Sequence, residues 1–469
     1  MSKIGSMMDL GKRSMANSQT ALQTVGHNIS SKNVEGFSRQ RVEQVTNVPL
    51  GEGKLRIGSG AKAAAVTRIN NPYLEKQIQQ EGAELGFLEG RSDALSRVEQ
   101  VYNEQINKGL NQYMTQFFNA FRELANNPES LATRTLVRES ADFLAKDFQR
   151  VDGQLAHIQE DLDTQIQTHI EEVNQFAREV ASLNEKIQMV ELSGAHANDE
   201  RDRRDLLLKK LGEKIDIKWA EGQDSQVAVM AGNTVLVSGY TATHLEGHST
   251  ADRGRIEIFY KSNAESVPAK ITDQVKGGMM GAALEVRDQI VPELTGQMDK
   301  MAYALAQEVN KAHIEGYDRM NRQGVLFFDL LQSPDGAAKN IRLNETIARD
   351  VGRIVTAIRP NAPSDNSVAN VISSLQYKEV MDNKTATLDE FYNSTVGQVG
   401  IMAQRAISGH EAQKNIVSQL SNIRESISGV SLDEETTKMI EFQKAYDASA
   451  RLIRTADEMF DTVLNLKRM

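Results

Sequence analysis

The two ends of the chain carry its clearest periodicity. At the start, apolar or small residues recur at Ile4, Met8, Gly11, Met15, Ser18, Leu22, Val25 and Ile29, in alternating steps of four and three. At the end, Met439, Phe442, Tyr446, Ser449, Ile453, Ala456, Phe460 and Val463 step three and four. Both stripes are heptad seams, the pattern of helices that wind around partners. The spacing predicts a first helix over residues 3–31, roughly 43 Å long at 1.5 Å per residue. It predicts a final helix capped by Ser431, with Glu434 completing a capping box. Asp433, Glu434 and Glu435 suit the positive end of that helix's dipole. A globular enzyme rarely places its best coiled-coil segments at both termini; a chain that polymerises through its ends would.

Between the ends the period changes several times. Asn33, Glu35 and Gly36 break the first helix, and the glycine-rich stretch from Phe37 to Ile69, with alternation at Lys54-Leu55-Arg56-Ile57, predicts short strands and turns. Asn71-Pro72 opens a helix that runs with interruptions to Asn126, and Asn127-Pro128 opens another to Leu192. The second half of that helix has its own stripe at Val173, Phe176, Val180, Leu183, Ile187 and Val190. Residues 199–213 predict a short charged helix. From Ile215 to Tyr260 the pattern alternates, with turns at Glu221-Gly222, Gly232-Asn233 and Ser238-Gly239, as in a small antiparallel β domain. Helices are predicted again over 279–313 and 386–428. The second of these has a strict stripe at Val399, Met402, Ala406, Gly409, Gln413, Ile416, Leu420, Ile423 and Ile427.

This order predicts a mainly α protein with a β-rich outer domain, built as a nested hairpin. Residues 1–40 with 430–469 form a terminal coiled-coil assembly domain. Residues 41–200 with 277–429 form a helical bundle with short strands, and 201–276 form the outer β-rich domain. Charge supports the terminal pairing: residues 1–41 hold an excess of Lys and Arg, residues 433–469 an excess of Asp and Glu. The 469 residues allow several domains, each with a core. The formal net charge of -10 argues against a dedicated nucleic-acid binder. The absence of cysteine excludes disulfides, thiol nucleophiles and cysteine metal sites. No apolar run has the length of a signal peptide near the start or of a membrane span elsewhere, so neither a cleaved leader nor membrane insertion is expected.

Each tempting chemical motif has a plainer reading. Gly11-Lys12-Arg13-Ser14 lacks the upstream glycine and spacing of a phosphate loop. Gly277-Gly278-x-x-Gly281 has no surrounding Rossmann unit and reads as a hinge leaving the β domain. His244 and His248 lie in a loop with no third ligand nearby and read as surface histidines. The acidic and basic residues of 199–205 read as a solvated, salt-bridged helix, and His27 as a helix-end residue. No nucleophile–base pair or metal cluster emerges, so neither enzymatic activity nor a cofactor is expected.

The segment Asn28-Ile29-Ser30-Ser31-Lys32-Asn33-Val34-Glu35-Gly36-Phe37-Ser38-Arg39-Gln40, following an amphipathic helix, resembles the N-terminal signature of bacterial flagellar axial proteins, the family of rod, hook and hook-associated subunits. Ser31 stands where many members have Asn, and Phe37 where Tyr is usual. Ser38-Arg39-Gln40 points to the hook-associated branch. So do Ser428-Gly429-Val430-Ser431-Leu432-Asp433-Glu434-Glu435, Phe442-Gln443-Lys444-Ala445-Tyr446, Thr455-Ala456-Asp457-Glu458-Met459-Phe460 and, internally, Asp202-Arg203-Arg204-Asp205-Leu206-Leu207.

The resemblance implies a structural protein, secreted through the flagellar type III export apparatus, that assembles as a ring or layer at the distal end of the hook. Its terminal helices would form the inner tube. The implied partners are further copies of itself, the hook subunit, the next hook-associated protein on the filament side, and an export chaperone bound to the C-terminal segment. The alternative within the family is a hook or distal rod subunit. The expected assembly interface comprises Met8, Met15, Leu22, Val25, Asn28, Ile29, Gly36, Phe37 and Arg39 at the start, and Leu432, Met439, Phe442, Tyr446, Ile453, Phe460 and Val463 at the end. Because an amphipathic helix without partners is marginal in water, both ends are expected to be largely disordered in the free monomer and to fold on assembly.

Overall fold

The computed structural model describes residues 2–52, 55–102, 109–250, 254–261 and 267–466. It opens with α1 (Ser2–Ser30), followed by β1 (Gln40–Thr46), β2 (Leu50–Glu52), β3 (Leu55–Ile57) and β4 (Ala61–Arg68). β1 pairs antiparallel with β4 and β2 with β3; Lys54 of the alternating run lies outside the described residues. Helices α2 (Pro72–Tyr102), α3 (Leu110–Asn126), α4 (Leu131–Leu192) and α5 (Asn198–Lys214) come next. A four-stranded antiparallel sheet holds β5 (Ile217–Glu221), β6 (Val227–Ala231), β7 (Thr234–Ser238) and β8 (Thr241–Ala242) in sequence order. A second sheet holds β9 (His244–Ser249), β10 (Ile256–Lys261) and β11 (Ala269–Lys270), with β10 central. The chain returns through α6 (Gly278–Glu285) and α7 (Val291–Ile314), the short helices α8 (Ala337–Asn340), α9 (Glu345–Arg349) and α10 (Ser367–Ser374), and the long α11 (Leu388–Ser428) and α12 (Leu432–Leu466). α1 packs on α12, α2 on α11, and the 62-residue α4 runs from the helical core to both sheets. The expected mainly α architecture with paired terminal helices is what the chain adopts.

Local chemistry sets the boundaries. Asn71 caps α2, its Oδ1 accepting from the Tyr73 and Leu74 amides at 3.1 and 3.3 Å. Asn127-Pro128 does not open α4, contrary to expectation. Asn127 ends α3, its N–H bonding Glu123 O and Leu124 O, and Ser130 caps α4 by accepting from Thr133 N. Glu434 is not turned back to Ser431; its carboxylate pairs with Arg39 Nη1 at 2.8 Å. The joint between α6 and α7 is a π-helical turn, Val286–Ile290. Pro292 has no N–H to offer the carbonyl of Arg287, and Gln159 Nε2 on α4 donates to that oxygen instead, at 2.9 Å. Gly277-Gly278 is a packed crossing more than a hinge: Gly278 has φ +68, and a Cβ there would lie 2.6 Å from Ile215 N.

Two predicted stripes are redistributed. On α4, Val173, Val180 and Ile187 are buried, but the half-exposed Phe176, Leu183 and Val190 give way to Asn174, Ala177, Ala181 and Asn184. The stripe on α11 splits: Val399, Ala406 and Gln413 are covered, while Ile416, Ile423 and Ile427 are exposed. On α4 the reason is visible. Asn174 brackets β9, exchanging bonds with Leu245 N and O at 2.8 Å each. Asn184 brackets β6 and reaches the turn between β7 and β8, through Val227 N, Val227 O and Gly239 O at 3.1, 2.8 and 2.8 Å. Asn310 on α7 holds the Phe327 and Phe328 amides in the same way, at 2.8 Å each. A buried amide side chain satisfies a strand's backbone where no neighbouring strand does.

Phe117, Phe121, Phe327 and Phe328 form the aromatic centre of the core, all fully buried. His313 stacks edge-on against Phe327 and uses both ring nitrogens: Nδ1 donates to Val325 O at 2.6 Å and Nε2 accepts from Val355 N at 2.9 Å. Burial pushes its pKa down to about 4, with Arg353 and Arg134 adding to the effect. The unfolded chain therefore binds a proton near pH 6.5 that the folded chain refuses until about pH 4. Stability is full above 6.5 and falls as pH drops towards 4. The expected loss is about 2 kcal/mol at pH 5 relative to pH 8. Urea unfolding at the two pH values checks this against His313→Gln, which should flatten the difference; an unchanged difference would assign the loss to other groups.

Candidate assembly interface

Small residues let the terminal helices approach closely. A Cβ on Gly11 would lie 2.6 Å from Ile453 Cγ1, and Ser449 Oγ donates to Ser14 Oγ at 2.7 Å. Ala21, Val25 and Ala456 are buried. Of the expected interface residues, Met8, Met15, Leu22 and Ile29 on α1 and Met439, Phe442, Tyr446, Ile453 and Phe460 on α12 are half-buried. Leu432 and Val463 stay about as exposed as surface residues, at 40% and 41%. The β1–β4 ribbon runs back along α1. Asn17 brackets β4 at Ala61 O and Ala63 N, at 2.7 and 2.8 Å, and Arg13 reaches Ser59 O.

The signature residues gather where this pair meets the rest of the chain. Asn28, at the end of α1, brackets Gln40 through its N and O at 2.9 Å each and donates to Glu435 Oε2 at 2.9 Å. Arg39 Nε donates to Glu435 Oε1 at 2.8 Å, and its backbone N–H to Ser428 O at 2.8 Å. Glu435 and Asn28 are each 1% exposed. Gly36 takes φ +83 and, with Phe37, gives its carbonyl to Arg424 Nη2 on α11. The Phe37 ring lies edge-on to His27 at 5.4 Å, and His27 Nε2 lies 3.1 Å from Asp199. The signature is thus spent inside one chain, tying α1, β1, α11 and α12 into a single joint.

Several residues of that joint escaped the sequence reading. Glu75 on α2 receives Arg424 Nε at 2.9 Å and pairs with Lys209. Burial opposes ionisation there, but Lys209 and Arg424 hold its carboxyl below the usual range. Asp202 on α5 accepts the Ser38 amide at 2.7 Å and shares Arg68 with Asp205, at 2.8 and 2.7 Å. Burial pushes the Asp202 carboxyl up despite those partners. Helix α5 was expected to be a solvated charged helix, yet Asp202 and Arg204 are buried. The spacing Asp-x-Arg-Asp, an acid and a base on opposite sides of a short helix, was the available signal. The other tempting motifs stay ordinary, though His244 and His248 lie on strand β9 and not in a loop: His248 pairs with Glu246 at 2.9 Å, and no grouping of His, Asp and Glu fit for a metal occurs among the described residues.

Comparison with known proteins agrees with this geometry. Residues 95–328 match the flagellar hook-associated protein FlgK helical domain, and residues 424–466 match the flagellar basal body rod FlgEFG protein C-terminal module. The chain is 28% identical to flagellar hook-associated protein 1 of Bacillus subtilis, over 98% of this chain and 97% of that protein. It is 24% identical to the protein of the same name in Escherichia coli, over 96% and 97%. That second alignment spans 538 positions against the 469 residues here, so the Escherichia coli protein carries segments with no counterpart in this chain. A solved structure, the flagellar hook junction protein FlgK from Burkholderia pseudomallei, shares the fold at a TM-score of 0.68 and 14% identity, covering 75% of this chain and all of that one. The chain belongs to the flagellar hook-associated protein family.

Proposed function

We propose that this chain is the structural subunit that joins hook to filament in the bacterial flagellum, acting by self-assembly and not as an enzyme. One observation carries the reading beyond the likeness to relatives. The terminal helices form a slender pair anchored at one end by a buried joint, which suits an element that inserts among copies of itself while the body stays outside. On this reading Met8, Met15, Leu22, Ile29, Met439, Phe442, Tyr446, Ile453, Phe460 and Val463 contact neighbouring subunits. Asn28, Gly36, Phe37 and Arg39 hold the pair at the angle that such contacts need. The partners are further copies, the hook subunit below and the next hook-associated protein above. Passage through the type III export apparatus, and a chaperone on the C-terminal segment before export, complete the proposal. The match of residues 424–466 to a rod-protein module favours one second reading, a hook or distal rod subunit.

Electron microscopy of cells lacking the chain separates the two. Hooks of normal length without filaments, with flagellin shed to the medium, is the expected result. Loss of the hooks themselves would move the protein to the hook or rod.

A further inference from the structure

We propose that α5 is a two-sided positioning element that sets the outer β-sheet relative to the terminal helices, with Asp202 and Arg204 as its two grips. Residues two apart on a helix are separated by about 200°, so these side chains leave α5 on opposite sides. Asp202 faces the joint. Its Oδ2 accepts the Ser38 amide at 2.7 Å and its Oδ1 pairs with Arg68 at 2.8 Å, at the end of β4. Arg204 faces the sheet. Its Nη1 donates to Ser225 O at 2.6 Å and to Asn184 Oδ1 at 3.2 Å, and its Nη2 pairs with Glu221 at 3.0 Å. Asn184 in turn brackets β6 through Val227.

Both grips are costly, and the cost makes them specific. Asp202 is 5% exposed and Arg204 1%. A charge taken out of water is tolerated only in the position where its partners meet it. Each grip therefore fixes its side of α5 to one register, and with a single residue between them the helix cannot bend to separate the two. The rest of α5 supports the role. Gly86 lets α2 lie so close that a Cβ there would sit 2.2 Å from Glu213 O, and Arg201 binds Glu191 at the end of α4 with two bonds, of 2.6 and 2.9 Å. The chain passes directly from α5 into β5, so a shift of the joint would be delivered to the sheet. Asp202 and Arg204 act through other residues; neither faces a neighbouring subunit on this view.

Hydrogen exchange on the free full-length chain tests the coupling. Asp202→Asn removes the joint-side charge and touches nothing in the sheet. It is expected to speed exchange of the Val227 amide about tenfold, beyond any general loss of stability. Ile347→Ala, a cavity in the core remote from α5, supplies the reference for that general loss. Coupling is reciprocal, so Arg204→Met should speed the Ser38 amide in the same way. Should Asp202→Asn fail to fold, Arg68→Gln weakens the same grip and replaces it. Faster exchange confined to Ser38–Gln40 in the first variant, with Val227 matching the Ile347→Ala reference, would overturn the proposal. The experiment needs no flagellum, so its outcome is independent of the filament phenotype.

Discussion

Arg39→Ala is expected to lower the stability of the free chain by about 3–5 kcal/mol, the cost of breaking a buried ion pair from one side. The Glu435 carboxylate is the reason. It is 1% exposed and is held by Arg39 Nε at 2.8 Å and Asn28 Nδ2 at 2.9 Å. Lys438, its remaining cationic neighbour, stands off at 3.7 Å. Losing the guanidinium leaves a buried charge that one amide cannot compensate. Backbone geometry should survive, because Arg39 N still bonds Ser428 O. Urea unfolding measures the loss. A second variant tells charge from packing. In Arg39→Ala with Glu435→Gln the uncompensated charge is gone while a group able to bond Asn28 remains, so a substantial part of the loss should return. A single-variant loss under about 1 kcal/mol, in the range of an exposed pair, would show that water reaches Glu435 and that the joint is softer than its geometry suggests.

The heptad spacing foretold the terminal pair because helix packing is written in period: Gly11, Ser18 and Val25 fall on one side of α1, and Ser449 and Ala456 on one side of α12. The joint was half legible. Asn28 and Arg39 stood out only through resemblance, since nothing in their spacing says that they meet Glu435, about four hundred residues later in the chain. Contacts of that separation depend on topology, which a local pattern does not contain. The misreadings have one cause. Asn174, Asn184, Asp202 and Arg204 are polar, and a polar residue on a helix is read as solvent-facing unless its partner is known. Here the partners are strand and loop backbone groups and, for Asp202 and Arg204, the charged side chains Arg68 and Glu221 on other elements, whose meeting carries no local sequence signature. Asn127-Pro128 failed for a related reason: the same asparagine chemistry that starts one helix ends the preceding one.

Val463→Asp is expected to leave the free chain as stable as the parent and to abolish filament attachment. The terminal pair is thin. On α12, Ala456 is the only apolar side chain fully covered among the described residues, while Ile440, Met459, Val463 and Leu464 are between 41% and 54% exposed. A two-helix pair with so little buried surface is marginal in water, which is why the two helices are expected to be largely unfolded in dilute solution beyond the buried joint at Asn28, Arg39 and Glu435, which stays formed, and to order over their full length only among neighbours. In that setting Val463 contributes nothing to the monomer. In an assembly its burial is worth about 1.5–3 kcal/mol, and an unpaired carboxylate in its place costs more than that gain. Every subunit of the layer would repeat the penalty, so a modest local term becomes decisive. Three readouts check this together: urea unfolding of the monomer, protease sensitivity of its ends, and filament counts when the variant replaces the parent in cells. Unchanged unfolding, rapid clipping of both ends in either monomer, and bare hooks with the variant are the expected set. Normal filaments with Val463→Asp would place the subunit contacts on another face of α12, and ends that resist protease in the dilute parent would show that the pair folds before it assembles.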